Sequence, residues 1–320
     1  MKKLFLIISI LLLSATTSFA GGLFSGCMGS GFGTHITKVC SNEYPEVCRA
    51  DTQAYITRVE ADGGTVIDVA MVDAAYQLLD DYTLAPIVWV GANFGVKKDG
   101  SNLVSKLYDL SDNDHDHVQA TAANQPFWND DQQNGLAAIQ FNGTDEWLEG
   151  GTQLGKPANF TAFTVFQTSN NTSQSALWMN RGGSGDYTWW GATMRYNSNG
   201  DMGLMVSKED SPAGYIGART GTGLIGTTDY YLRTDRYAHG GNVSYIYLDA
   251  GSAESLTYAD QGCSENSGTS FDFRIGTYGN GGVSYFSGYI SELVIFDASL
   301  SDTNRGYVRD FLNGEYELWE

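Results

Sequence analysis

The last third of the chain contains Tyr289-Ile-Ser-Glu-Leu-Val-Ile-Phe296, a short run rich in β-branched and aromatic residues. Two similar runs precede it, Ser244-Tyr-Ile-Tyr-Leu-Asp249 and Phe271-Asp-Phe-Arg-Ile-Gly276, and clusters of Gly, Asn, Asp and Ser separate the runs. Short alternating runs between turn residues are typical of a sandwich of antiparallel strands. We therefore predict an all-β fold with two packed sheets. The side chains expected between the sheets are Phe271, Phe273, Ile275, Ile246 and Leu248.

The first twenty residues have the features of a signal peptide. Lys2 and Lys3 precede an apolar run from Leu4 to Leu13, and Ser18-Phe-Ala20 offers a small-x-small cleavage site. The apolar run is shorter than the roughly 20 residues that a membrane span needs. We therefore expect a secreted or cell-surface protein with no membrane span in the mature chain.

Three further segments are predicted after the signal peptide. They are a Gly- and Cys-rich leader over residues 21–50, a helical extension over residues 51–84, and the sandwich over residues 85–320. In the extension, Asp51 is the candidate cap of a first helix, and residues 66–81 place apolar side chains at helical spacing. Ser301 is a candidate N-cap for a last helix.

The charge of the chain is strongly acidic. Removal of residues 1–20 removes Lys2 and Lys3 and no acid, so 16 basic and 37 acidic side chains remain and the formal charge is −21. Binding to phosphate groups needs clustered Lys and Arg, and the sequence has no basic run. A nucleic-acid partner is therefore not expected. The acidity favours solubility outside the cell, and binding of divalent cations is the alternative interpretation.

The four cysteines are Cys27, Cys40, Cys48 and Cys263. An even number in an exported chain predicts two disulfides, and three pairings are open. Cys40 and Cys48 are near enough in sequence to close a small loop. Cys27 would then pair with Cys263 and join the leader to the sandwich.

Three stretches carry a family resemblance. They are residues 106–126 with Tyr108-Asp-Leu-Ser111, residues 134–148 with Phe141-Asn-Gly-Thr-Asp145, and residues 288–302 with the run quoted first. In this order they resemble motifs of bacterial and phage LamG-like domains, in the concanavalin A-like lectin/glucanase superfamily. The resemblance spans residues 85–318 and implies a jelly-roll β-sandwich, a fold that carries many unrelated activities. Asp112 stands where the family usually has Gly, so the turn there is expected to differ.

Catalytic patterns are weak. Retaining glucanases of this superfamily need two carboxyl groups about 5–5.5 Å apart, which residues at alternate strand positions supply. The nearest acidic cluster is Asp145-Glu-Trp-Leu-Glu149, with Glu146 and Glu149, and its place in the family motif favours a turn. Glu292 has no acidic partner in its strand, and the sequence has no Gly-x-Ser-x-Gly elbow. We therefore expect no catalysis.

One acidic segment is a candidate metal site, with carboxylates at Asp112, Asp114 and Asp116. A standard EF-hand loop would need Gly at position 117 and Glu at position 123, where the chain has His117 and Ala123. A looser calcium site and a polar turn between strands are the two interpretations, and no cofactor is required by either. His115 and His117 would share a strand face, and a solvated pair is favoured because a third metal ligand is missing.

The aromatic residues suggest a ligand surface. Over residues 188–196, alternation directs Trp190 toward the core and leaves Trp189 and Arg195 on the other face. A sugar ring can stack on indole while Arg donates hydrogen bonds. A long loop or the helical extension could equally cover Trp189. Tyr245 and Tyr247 form a second outward set with the same two interpretations.

The function predicted from these patterns is non-catalytic recognition of a carbohydrate or cell-surface glycan, for example in adhesion. The alternative is a structural module that self-assembles in an extracellular or virion surface layer, and a glycoside hydrolase is third. An open face beside Trp189 and Arg195 would favour sugar binding. A covered face with a free strand edge would favour assembly.

Overall fold

A computed structural model of the protein describes ten parts of the chain: residues 40–150, 154–155, 157–180, 190–194, 201–207, 215–216, 220–238, 243–251, 273–277 and 284–320. The chain divides into residues 1–38 and residues 39–320, and every described residue lies in the second unit. The predicted signal peptide, Cys27, Phe271 and Cys263 lie outside the described residues.

Three α-helices occur in the described residues: α1 (Ala50–Ala61), α2 (Val69–Tyr82) and α3 (Asp302–Tyr316). The predicted cap of α1 is wrong, because the helix begins one residue before Asp51, which lies in the first turn and there complements the helix dipole. Asp68 caps α2 and accepts a hydrogen bond from the Met71 amide. Ser301 caps α3 by accepting from the Asn304 amide at 3.2 Å, as predicted.

Seventeen strands, numbered in chain order, occur in the described residues. They are β1 (Thr65–Val66), β2 (Val88–Gly91), β3 (Gly95–Lys98), β4 (Val104–Leu107), β5 (His117–Val118), β6 (Phe127–Gln133), β7 (Leu136–Asn142), β8 (Leu148–Gly150), β9 (Asn159–Thr168), β10 (Ser175–Asn180), β11 (Trp190–Met194), β12 (Met202–Ser207), β13 (Tyr215–Ile216), β14 (Tyr231–Ala238), β15 (Val243–Leu248), β16 (Phe273–Ile275) and β17 (Ser287–Phe296).

The strands form two antiparallel sheets. One has ten strands in the order β1-β3-β4-β5-β8-β16-β10-β11-β12-β13. The other has seven, in the order β15-β14-β9-β17-β7-β6, with β2 paired to the second half of β17. The sheets pack face to face, as predicted for a jelly-roll sandwich. One strand of the ten, β1, comes from the predicted helical extension, which therefore also contributes to the sandwich.

The core between the sheets is built from the inward residues of both. Phe273, Ile275 and Ile246 are buried in it, as predicted, and Leu248 is half-buried against it. The core also contains an ion pair, in which the Arg233 guanidinium holds the Asp235 carboxylate at 2.7 Å. Arg233 donates in addition to the carbonyls of Thr193 and Gly203, so one side chain of β14 links the two sheets.

An apolar layer on the outer face of the seven-stranded sheet includes residues of all three helices. On β17, Leu293 and Ile295 face the inter-sheet core, whereas Val294 and Phe296 pack in a second apolar cluster. That cluster includes the apolar faces of α1, α2 and α3. The helical extension therefore lies against this sheet and forms a third layer.

Helix α1 is held to the edge of the ten-stranded sheet by Tyr55. Its hydroxyl accepts from the Gly95 amide and donates to the Tyr108 carbonyl, both at 3.0 Å. A Cβ on Gly95 would lie 2.7 Å from Val59 and 2.8 Å from the Tyr55 hydroxyl, so only glycine permits this approach. The contact fixes α1 beside β3 and β4.

A disulfide joins Cys40 to Cys48, which confirms that predicted pair. The disulfide lies just before α1, and Cys40 packs against the second apolar cluster. Among the described residues, no helix is both long enough and apolar enough to cross a membrane.

Candidate functional site

The outer face of the ten-stranded sheet carries one transverse row of residues. Each member is the direct Cα partner of the next across neighbouring strands, in the order Lys97, Lys106, Val118, Glu149, Arg274, Met179, Gly191 and Met205. The solvent exposure of the side chains in the row changes after β16. From Lys97 to Arg274 the side chains are half-buried or exposed, with Val118 37% exposed, whereas Met179 and Met205 are buried. The accessible half of this face therefore spans β3, β4, β5, β8 and β16.

Trp147, Glu149 and Arg274 form a compact group on the accessible half. Trp147 precedes β8 and shares the outward direction with Glu149, since Leu148 between them is in the inter-sheet core. The Arg274 guanidinium lies 4.3 Å from the centre of the indole ring and 3.2 Å from the Glu149 carboxylate. Trp147 is half-buried, so part of its apolar ring is accessible. A half-exposed ring next to a charged donor and acceptor is an arrangement that suits a polyhydroxylated ligand.

A second polar group lies at the β3–β4 end of the row. The exposed Asp62 carboxylate accepts from the Tyr108 hydroxyl at 2.8 Å and from the Lys106 ammonium at 3.1 Å, with Lys97 at 3.5 Å. The Tyr108 hydrogen bond and the Lys106 contacts lower the pKa of Asp62 to about 2. Asp62 therefore stays ionised at neutral pH and offsets part of the charge of the two lysines.

The candidate calcium residues lie next to this group. Asp114 and Asp116 contact the Arg58 guanidinium at 3.0 and 3.1 Å, and Asp116 also contacts Lys106 at 2.8 Å. Asp112 is exposed. In the part of the chain that the structure describes, three ligand atoms come within 4.8 Å of one another only at Cys40, Cys48 and Asp73, where both cysteines are in the disulfide. Calcium binding at Asp112, Asp114 and Asp116 stays a prediction.

Asp109 organises the turn that carries these acids. Its carboxylate accepts from the amides of Trp89, Ser111 and His115, and from the Ser111 hydroxyl, at 2.5–3.0 Å. Burial raises the pKa of Asp109 to about 6, although these hydrogen bonds oppose the shift. The hydrogen bonds to the buried Asp109 carboxylate therefore fix the backbone of this turn.

The expectation of a solvated His pair on one strand face is wrong. Strand β5 begins at His117, whose ring points into the inter-sheet core and contacts Phe273 edge-on at 5.3 Å. Burial lowers the pKa of His117 to about 3, so the imidazole is neutral. Neither ring nitrogen has a hydrogen-bond partner within the described structure. His115 lies in the preceding turn and is half-buried.

Trp189 and Arg195 lie outside the described residues, and their predicted role is untested. The face assignment around them is confirmed where the structure describes it, because Trp190, Ala192 and Met194 are buried in the inter-sheet core. On the opposite face of β11, Thr193 is also fully buried. This part of the outer face is therefore covered, unlike the part around Trp147.

Tyr245 and Tyr247 lie on the outer face of the seven-stranded sheet, so they are on a different sheet from β11. The Arg305 guanidinium of α3 lies 3.8 Å from the centre of the Tyr247 ring, and Tyr247 is 8% exposed. Tyr245 is half-buried, and the centres of the Tyr245 and Tyr247 rings are 5.9 Å apart. Ligand binding by this pair stays a prediction.

The group at Trp147 was missed by the sequence analysis, which assigned residues 145–149 to a turn. That turn exists: Asp145 and Glu146 accept hydrogen bonds from the Asn142 side chain and amide, each at 2.8 Å. The missed signal is the alternation that follows it, with Leu148 inward between two outward polar or aromatic residues. The same alternation places the half-buried Arg274 on the outer face, between two buried neighbours on β16.

Comparisons with known proteins give no family. No protein-family model and no curated protein matches the sequence. The resemblance to LamG-like domains therefore stays a prediction. Among solved structures, the chain is similar to the binding domain of botulinum neurotoxin serotype D, with 10% identity and a TM-score of 0.46 over 71% of this chain. The match covers about half of that structure (50%).

Two further solved structures are similar to parts of the chain. One is domain 4 of an extracellular arabinanase from Geobacillus stearothermophilus, solved with arabinotriose, with 14% identity and a TM-score of 0.45 over 58% of this chain and 81% of that one. The other is the CBM40 of a Ruminococcus gnavus sialidase, bound to sialyllactose. It has 15% identity and a TM-score of 0.41 over 52% of this chain and 92% of that one.

Proposed function

We propose that this chain is an exported, non-catalytic module that binds carbohydrate through the accessible half of the ten-stranded sheet. The observation that supports the proposal is the group formed by Trp147, Glu149 and Arg274. An indole face gains free energy by covering the apolar face of a sugar ring. The guanidinium can donate hydrogen bonds to the hydroxyls at the ring edge, and the carboxylate can accept hydrogen bonds from them. Adhesion to a surface glycan is the role that such a module would serve.

The acidic residues of this region have structural partners, which is why catalysis is not part of the proposal. Glu149 is engaged with Arg274, and Glu146 receives the Asn142 amide. Burial raises the pKa of Glu146, and the same amide opposes that shift. Release of reducing sugar from a polysaccharide, abolished by Glu146→Gln or Glu149→Gln, would instead establish the hydrolase alternative.

The test is a glycan array probed with the parent, Trp147→Ala and a control. Stacking on an aromatic ring contributes on the order of 0.5–1.5 kcal/mol beyond area burial, and the lost apolar contact area adds to it, so Trp147→Ala should weaken binding about tenfold. Tyr82→Ala is the matched control, because Tyr82 is a 39% exposed aromatic that stacks on Tyr307 in the helical layer. Trp189→Ala and Arg195→Ala test the site predicted from the sequence. If Trp147→Ala binds like the parent, and Trp189→Ala and Arg195→Ala do not, the site lies at residues 188–196.

An array on which the parent binds no glycan would contradict the proposal. It would favour the alternative of a structural module that self-assembles. Light scattering of the mature chain over a concentration series would then detect that assembly.

A further inference from the structure

The accessible half of the outer face is balanced in charge, and this bears on the kind of ligand. The structure describes four basic side chains there: Lys97, Lys106, Arg274 and, from α1, Arg58. Each lies within 4.0 Å of a carboxylate. The four carboxylates involved belong to Asp62, Asp114, Asp116 and Glu149.

An anionic ligand would have to compete with these carboxylates for the basic groups. The Glu149 side chain is 27% exposed and that of Arg274 13%, so their attraction is partly shielded from solvent. The whole chain has a formal charge of −19, which repels an approaching polyanion at long range. Both effects favour a ligand whose groups are hydroxyls, because a hydroxyl can bond to either member of an ion pair without separating it.

The length of the row bears on the size of the ligand. From β3 to β16 the accessible half crosses four strand-to-strand spacings, which is about 19 Å at roughly 4.8 Å each. In the middle, Val118 presents an exposed apolar side chain as the direct cross-strand partner of Glu149. The row thus places the apolar side chain of Val118 between the two lysines on one side and the Glu149–Arg274 pair on the other. Trp147 adds a second apolar surface beside that pair, and the whole arrangement is longer than one sugar ring.

We propose that the ligand of this face is a neutral oligosaccharide chain that lies across the strands, rather than an anionic or a single terminal sugar. This inference rests on the proposed function and specifies its ligand class. The sugar rings contact Trp147 and Val118, while their hydroxyls bond to the ion pairs on either side.

The experiment measures binding of the mature chain to neutral polysaccharides (laminarin, barley β-glucan, galactomannan) and anionic ones (polygalacturonate, hyaluronate). We expect binding to at least one neutral polymer, with an affinity that changes less than about twofold between roughly 0.02 and 0.5 M NaCl, since screening acts on charge interactions. An oligosaccharide series should gain affinity with each sugar up to about the length of the row. Binding to anionic polymers alone, or equal affinity for the monosaccharide, would overturn the inference and leave carbohydrate binding standing. Binding to none of the polymers would overturn both.

A charge variant tests the physical reason. Glu149→Gln removes the carboxylate that pairs with Arg274. It should raise the affinity for polygalacturonate, relative to that for the neutral polymer that the parent binds, about three- to fivefold, the scale of one partly exposed ion pair. Asp310→Asn is the control: it removes one negative charge on α3, where Asp310 pairs with Arg309. An equal change in the two variants would show that net charge, and not the pairing of Arg274, sets the preference, and would overturn the inference. Thermal unfolding of both variants checks that they are folded.

Discussion

The buried His117 makes a specific contribution to the pH dependence of stability. Its ring is fully buried against Phe273, and burial lowers its pKa from 6.5 to about 3. The unfolded chain therefore binds a proton near pH 6.5 that the folded chain refuses until about pH 3, so stability is lost as the pH falls through this window. At 1.36 kcal/mol for each pKa unit, the loss is about 2 kcal/mol at pH 5 and about 4–5 kcal/mol at pH 3.

Other groups titrate in the same range, so the parent alone cannot reveal this contribution. Burial raises the pKa of Glu292 to about 8 and that of Asp109 to about 6, and both shifts make the folded state more stable as the pH falls. The informative quantity is the difference between the free energies of unfolding of His117→Phe and the parent. Phenylalanine keeps the edge contact with Phe273 and does not titrate.

We expect this difference to grow in favour of His117→Phe by about 2 kcal/mol between roughly pH 7.5 and pH 5. Urea unfolding followed by tryptophan fluorescence at each pH measures it, and any constant effect of the substitution on packing cancels. His115→Phe serves as the control. Burial lowers the pKa of His115 in the same direction, but His115 is only half-buried, so the change in the free energy of unfolding should be smaller. A difference that stays constant within about 0.5 kcal/mol would refute the reasoning.

Two further predictions concern stability. Glu292 accepts from the Trp89 indole at 2.5 Å and the Tyr316 hydroxyl at 2.9 Å, and its pKa is raised from 4.5 to about 8, mainly by burial. Its stabilisation is therefore complete below pH 4.5 and is lost as the pH rises through 8. Relative to Glu292→Gln, the parent should lose about 4 kcal/mol in free energy of unfolding, measured by urea unfolding from pH 5 to pH 9. Replacement of Cys40 and Cys48 by serine removes a disulfide with a sequence separation of 8. The free energy of unfolding should fall by about 2–3 kcal/mol relative to the parent, measured by urea unfolding under non-reducing conditions.

Local patterns in the sequence predicted the features that depend on neighbouring residues. Period-two alternation identified Ile246 and Phe273 as core residues, and the capping preference of serine identified Ser301. The same patterns could not find the Trp147 site. Arg274 lies 125 residues from Glu149 in sequence, and only the pairing of β8 with β16 brings them together. Alternation tells which face a residue occupies, but not which strand will lie beside it.

The helical layer explains why the two outer faces of the sandwich differ. Glu292 lies on β17 under α3, where Tyr316 of that helix and Trp89 of β2 share its carboxylate. The part of this face that lies under α3 is closed by the helix and by this buried hydrogen-bond network. On the ten-stranded sheet, the strands from β3 to β16 instead carry half-buried and exposed side chains. Because α1 reaches only the edge of that sheet, through Tyr55, the helices that stabilise one face leave the Trp147 face accessible.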